Sequence, residues 1–219
     1  MALTKFNYNS FDLTTAASKG LAFNSSANGF ETSSAGSMTL IKTLTASSSS
    51  TLSFVDGSSS VVLDNTYPIY KFVYTNIHPS GNGEQLKINF RDGGSSYDAT
   101  KTTTFFRAVH NEAGNDQELA YRTAQDLAQG TGAAHLTQGI GTDNDQTCSG
   151  ELILFNPSST TFVKHFMAKT STYSDDDYNY VTYVAGYCNV TAAIDGVQFI
   201  MSSGNIDAGT IKLYGIKDS

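Results

Sequence analysis

The sequence predicts an all-β fold on three grounds: apolar and polar side chains alternate in short runs, turn formers separate those runs, and the composition disfavours helix. Charged residues make up 15% of the chain, against roughly 25% in soluble domains. Ser, Thr, Asn and 19 Gly take their place. Thr suits strands, whereas Ser, Asn and Gly suit the turns between them. With 219 residues, 39% of them hydrophobic, the chain can bury a sizeable core without a metal or disulfide staple.

Residues 1–37 stand apart as an N-terminal segment. Phe6, Tyr8, Phe11, Leu21, Phe23 and Phe30 lie isolated among Ser, Ala, Asn and Gly. That spacing is too sparse for a core and too aromatic for an idle linker, so the segment reads as an extended attachment arm that orders on a neighbouring subunit. A loose tail carrying one edge strand is the alternative. Residues 38–219 then read as one β-sandwich domain. Thr39–Ala46 and Thr51–Val55 flank the serine run Ser47–Ser50 as a hairpin or a corner. In Tyr70–Ile77, Tyr70, Phe72 and Tyr74 share one face while Lys71, Val73 and Thr75 take the other; Leu86, Ile88 and Phe90 alternate with Lys87 and Asn89. Further runs fall at Thr103–Val109, Glu151–Phe155, Phe162–Thr170, Tyr178–Asn189, Val197–Met201 and Thr210–Ile216. Strands with one apolar face must close on each other, and this many with some long connections predict a jelly-roll-like antiparallel β-sandwich. One segment breaks the pattern. Asn115 and Glu118 resemble a capping box, Leu119, Ala120, Thr123, Ala124 and Leu127 recur at helical spacing, and Gly130 offers a stop. This predicts one short inserted helix, about 116–128, covering a sheet edge or one end of the sandwich.

The net charge is −7, with 13 Lys and Arg scattered along the chain. Phosphate neutralisation needs clustered cations, so nucleic acid is not an expected partner. No run is long and apolar enough to cross a bilayer as a helix, and Met1–Phe6 lacks the apolar stretch of a signal peptide, so synthesis and assembly in the cytoplasm are expected. Cys148 and Cys188 have no second pair for a metal cage; two free thiols are expected in a reducing compartment, with late oxidation as the other outcome.

Chemistry-bearing motifs are few. His78, His110, His135 and His165 have no zinc-like spacing, and His165 sits in an alternating strand as a solvent-facing residue. There is no G-x-S-x-G elbow, Walker loop or G-x-G-x-x-G fingerprint, and Gly81/Gly83 and Gly139/Gly141 read as turns. Asp92 and Glu151 have no context that would make them a glycosidase pair. No catalytic residue and no cofactor is expected. The sharpest local feature is Asp175, Asp176 and Asp177, whose mutual repulsion solvent or a Ca²⁺ ion would relieve; Asp143-Asn144-Asp145 is a second oxygen-rich loop. A solvated turn is the plainer reading of both. Beside the first lie Tyr178 and Tyr180 on one strand face and Tyr183 and Tyr187 on the other. Such tyrosines serve cross-strand packing or a subunit interface, and alternatively a sugar-binding surface.

The phrases "LIKTLTASSSSTLSFVDG", "YPIYKFVYTNIHP", "LKINFRDGGSSYD", "ELILFNPSSTTFVKHF" and "TAAIDGVQFIMSSGNIDAGTIKLYGI" run through about four-fifths of the chain. They resemble modules in structural proteins of marine tailed bacteriophages, including cyanophages, found at tail-fibre ends and in head-associated proteins. The closing Ser203–Ile216 is the most characteristic part. The resemblance implies a β-sandwich displayed on the virion, commonly as a homotrimer, and carries over no functional residue. On this reading the chain is a non-enzymatic virion structural protein, a capsid decoration, knob or short fibre head. It faces outward and contacts capsid or tail subunits through its arm. The alternative is a tail-fibre module that recognises a host-surface glycan.

Overall fold

A computed structural model describes residues 19–23, 26, 29–34 and 37–217. The chain divides into two units, Met1–Thr39 and Leu40–Ser219. In the first, β1 (Lys19–Phe23) pairs antiparallel with β2 (Phe30–Ser34). The register sets Phe23 opposite Phe30, and their rings stack with centroids 4.9 Å apart. The described part of the expected arm is therefore a hairpin rather than one extended strand. Phe6, Tyr8 and Phe11 lie outside the described residues.

In chain order the remaining strands are β3 (Met38–Thr45), β4 (Leu52–Val55), β5 (Ile69–Pro79), β6 (Leu86–Arg91) and β7 (Lys101–Asn111). They continue as β8 (Gln117–Tyr121), β9 (Leu127–Gly130), β10 (Ala134–His135), β11 (Cys148–Phe155) and β12 (Lys164–Tyr173). The last are β13 (Tyr178–Cys188), β14 (Gly196–Met201) and β15 (Ile206–Ile216). A nine-stranded sheet runs β3-β15-β5-β11-β12-β13-β7-β8, with β9 also on β7; a four-stranded sheet runs β10-β6-β14-β4. The described ladders are antiparallel. No helix occurs among the described residues, so none is long and apolar enough to cross a membrane. The fold is the expected jelly-roll-like β-sandwich.

The predicted alternation decides which atoms make the core. Tyr70, Phe72 and Tyr74 of β5, Leu152 and Leu154 of β11, and Leu213 of β15 are fully buried on the inner face of the large sheet. Phe54, Ile88, Phe90 and Phe199 face them from the small sheet. The layers interlock through aromatic rings: Phe54 edge-on to Phe72 at 5.3 Å, and tilted pairs of Phe199 with Phe72 at 5.7 Å and Phe90 with Phe166 at 4.8 Å between centroids. Each such ring contributes about 1.5–3 kcal/mol by leaving water. The serine run is a corner: β3 and β4 lie in different sheets, and the chain crosses between them at Ser47–Ser50. It is held there by Ser48 N–H to Asp207 O at 3.0 Å and Ser49 N–H to Ile206 O at 2.8 Å.

The predicted helix at 116–128 is absent. Its residues form β8, a turn and β9, and both strands pair with β7. Asn115 does not cap a helix. The Asn111 side chain accepts the backbone N–H groups of Asn115 and Asp116 at 3.1 and 3.0 Å and closes the β7–β8 turn with Gly114 at φ +70°. Helical spacing would have buried Leu119, yet it is 76% exposed. The unpaired edge of β7 offers this segment a row of backbone partners, and that tertiary gain outweighs weak helix propensity. The segment does cover a sheet edge, as expected, but by extending the sheet.

Candidate functional site

The free end of the large sheet holds the site. β10 and the segment after it cross the inner face of β13 and β7, where Thr182 Oγ donates to Leu136 O at 2.6 Å. Beyond this crossing the inner face of β7, β8 and the start of β13 opens into a cleft of about 430 Å³. It is lined by Arg107, Val109, Asp116, Glu118, Asp176, Tyr178 and Tyr180, together with Gln117. The ladder brings these distant residues together: Val109 sits opposite Tyr180 on one side and Glu118 on the other.

Arg107 organises the floor. Its Nη2 donates to Glu118 Oε2 at 3.0 Å and its Nη1 to Gln138 Oε1 at 3.1 Å, while the guanidinium lies 5.0 Å from the Tyr180 ring centroid. Its Nε is buried with no partner among the described residues, and so is Gln138 Nε2. Tyr180 is buried, and Tyr178, half-buried, stacks on it at 5.7 Å and 25°. The Tyr178 hydroxyl donates to Asp116 Oδ2 at 2.7 Å, and that bond raises its pKa. Three carboxylates and one guanidinium thus surround an aromatic wall. The arrangement can accept hydroxyl protons and present a ring face; an anion would meet like charge.

The acidic turn resolves into separate jobs. Ser174, fully buried, accepts the N–H groups of Asp176 and Tyr178 at 3.2 and 3.1 Å and fixes a tight turn with Asp177 at φ +61°. Asp175 lies against two glycines: a β-carbon at Gly83 or at Gly139 would stand 2.9 Å from one of its carboxylate oxygens. Gly81-Asn82-Gly83 is a turn as expected, whereas Gly139-Ile140-Gly141 is extended and bridges Ile140 to Glu84, with Gly83 N–H donating to Ile140 O at 2.9 Å. Asp176 alone of the three lines the cleft. Among the described residues no three His, Cys, Asp or Glu side chains gather as a metal group, so the expected Ca²⁺ reading of Asp175, Asp176 and Asp177 finds no converging ligand set. Asn144 and Asp145 line a different hollow with His78.

The four tyrosines divide as the alternation predicts. Tyr183 lies on the outer face of the large sheet, stacked on Phe106 at 5.0 Å and 13°, with Lys169 Nζ 5.5 Å from its centroid. Tyr187 sits beside His165 on that face. Tyr121, Phe106 and Tyr183 are directly opposite one another across β8, β7 and β13, with Leu119 and Met167 nearby. These five are 50%, 40%, 37%, 76% and 55% exposed, respectively, an unusually apolar row for a wet sheet face. His165 is exposed there as expected, and His110, on β7, is exposed too.

Two features escaped the sequence. Lys101 and Lys164, both fully buried, flank Cys188 on adjacent strands. Lys101 donates to Gly132 O at 2.8 Å and Lys164 to Val190 O at 2.8 Å; burial lowers both amines, Lys101 to about 8, and raises the Cys188 thiol to about 12. Cys148 and Cys188 are free thiols. The second is Arg107, whose neighbours Asp116 and Glu118 were assigned to a helix. Comparison of this chain with family models, with curated proteins and with solved structures finds no match in any of the three.

Proposed function

We propose that this chain is a non-enzymatic structural protein carried on the outside of a bacteriophage particle, as a capsid decoration, knob or short fibre head. Residues 1–37 form its attachment segment, and copies of the chain join through the outer face of the large sheet as a homotrimer. The observation that carries this reading is the row Tyr121, Phe106 and Tyr183 with Leu119 and Met167 in solvent. Monomers seldom leave large apolar side chains contiguous, and surfaces of this kind mark protein interfaces. The phrase-level resemblance to marine phage structural proteins supplies the particle, and the net charge of −7 suits an outward position away from packaged DNA. The test is the mass in solution of the whole chain and of a Phe106→Ser, Leu119→Ser variant. A trimer that the variant reduces to monomer, with unchanged circular dichroism, supports the reading; a monomeric parent chain contradicts it.

A second reading, recognition of a host-surface glycan, is favoured by one observation. The cleft at Tyr178 and Tyr180 joins an aromatic wall to hydrogen-bonding side chains, on the face opposite the apolar row. Assembly and recognition would then use different faces of one sheet.

A further inference from the structure

We infer that the Tyr178 cleft takes an uncharged hexopyranose, such as a terminal neutral hexose or N-acetylhexosamine, and rejects sugars that carry a carboxylate. This rests on the glycan reading and gives it a ligand class. The volume of about 430 Å³ falls within the ~300–1,000 Å³ of small-ligand sites. It suits a chain end rather than a buried polymer.

The lining narrows the ligand chemistry. Asp116, Glu118 and Asp176 offer carboxylate oxygens, the strongest acceptors available for sugar hydroxyls. Tyr178 is held by its bond to Asp116 and its stack on Tyr180, so its ring is a fixed plate that loses little freedom on binding. Pyranose C–H groups match such a plate, and the equatorial hydroxyls match the surrounding acceptors. Arg107 Nε and Gln138 Nε2 are buried donors without partners among the described residues, so a ligand in the cleft meets the carboxylate acceptors instead. A polyol supplies the hydroxyl donors that these acceptors take. A fatty chain would leave the carboxylates unpaired.

Charge decides between sugar classes. Arg107 is already engaged by Glu118 at 3.0 Å, by Gln138 and by the Tyr180 ring. Asp116 and Asp176 have no cation against them among the contacts described, and the Asp116 carboxylate is engaged only by a phenol hydroxyl. A sialic or uronic acid carboxylate would enter beside these like charges. A free phosphate or nucleotide meets the same repulsion.

The experiment applies the whole chain to an array of immobilised neutral, sialylated and uronic-acid glycans, followed by titration of the best binder. The variants are Tyr178→Ala, Asp176→Asn and, away from both the cleft and the apolar row, Asn65→Ala in the exposed loop before β5. Asp176→Asn keeps the turn, because the turn uses the backbone N–H of that residue. The inference predicts binding to neutral glycans, weakened roughly ten-fold or more by Tyr178→Ala and by Asp176→Asn and unchanged by Asn65→Ala. Preference for acidic glycans, lost on Arg107→Gln, overturns the ligand class while leaving glycan recognition standing. Binding that ignores both cleft variants overturns the site. Binding to no glycan overturns the inference together with the reading beneath it.

Discussion

Replacing His135 by Gln should remove most of the acid sensitivity of the fold between pH 6.5 and pH 4. His135 lies on β10, opposite Lys87 on β6, and its Nδ1 is buried without a partner among the described residues. Burial first, and the Lys87 charge second, lower its pKa to about 4 from 6.5. The folded state therefore prefers the neutral ring, and the unfolded chain binds the proton first as pH falls. Stability is undiminished above pH 6.5, declines as the unfolded chain titrates, and stops declining once the folded state titrates too, near pH 4. At about 1.4 kcal/mol per pH unit the interval sets a ceiling of about 3 kcal/mol, which solvent screening of the half-buried ring reduces. Asp64, whose carboxyl is lowered by its hydrogen bonds to Thr66, acts further down: its contribution is present above pH 3.8 and is lost as pH falls below it. Urea midpoints at half-unit pH steps, read by far-ultraviolet circular dichroism or by tyrosine emission, would measure both. The parent chain should weaken steadily from pH 6.5 to pH 4, and His135→Gln should stay nearly level. An equal slope in both proteins would refute the assignment to His135.

Other outcomes follow from single contacts. Gly150→Ala should cost about 2–3 kcal/mol, because its β-carbon would strike the Lys169 carbonyl oxygen and stand 2.9 Å from Thr170 Cα, forcing β11 from β12; thermal melting measures it. Gly132→Ala should be neutral or stabilise by up to about 1 kcal/mol, since nothing lies within 4 Å of its β-carbon position and its φ is not in the left-handed region. The Lys101 amine should titrate near pH 8 by nuclear magnetic resonance of its side chain; a midpoint near the ordinary 10.5 would mean that water reaches this end of the sandwich.

The strands were legible because burial on one face forces a period of two, which survives in β5, β6, β12 and β13 without any knowledge of their partners. The segment 116–128 was not, because Leu119, Ala120, Thr123, Ala124 and Leu127 recur at helical spacing, and only the open edge of β7 overrides that pattern. The cleft was half legible. Asp176, Tyr178 and Tyr180 stood out as a local cluster, whereas Arg107 and Glu118 join them only through a register that pairs β13 and β8 to opposite sides of β7. Lys101 and Lys164 show the reverse limit. Alternation points them inward with Phe105 and Phe166 despite their charge, and backbone carbonyls near the strand ends accept the amines.

Electron microscopy of intact phage particles, labelled with antibody raised against this chain, tests the central reading most directly. The account predicts regular label on the outside of untreated particles, at fixed positions on head or tail. Label that appears only after the particles are broken open, or on none of them, would contradict it.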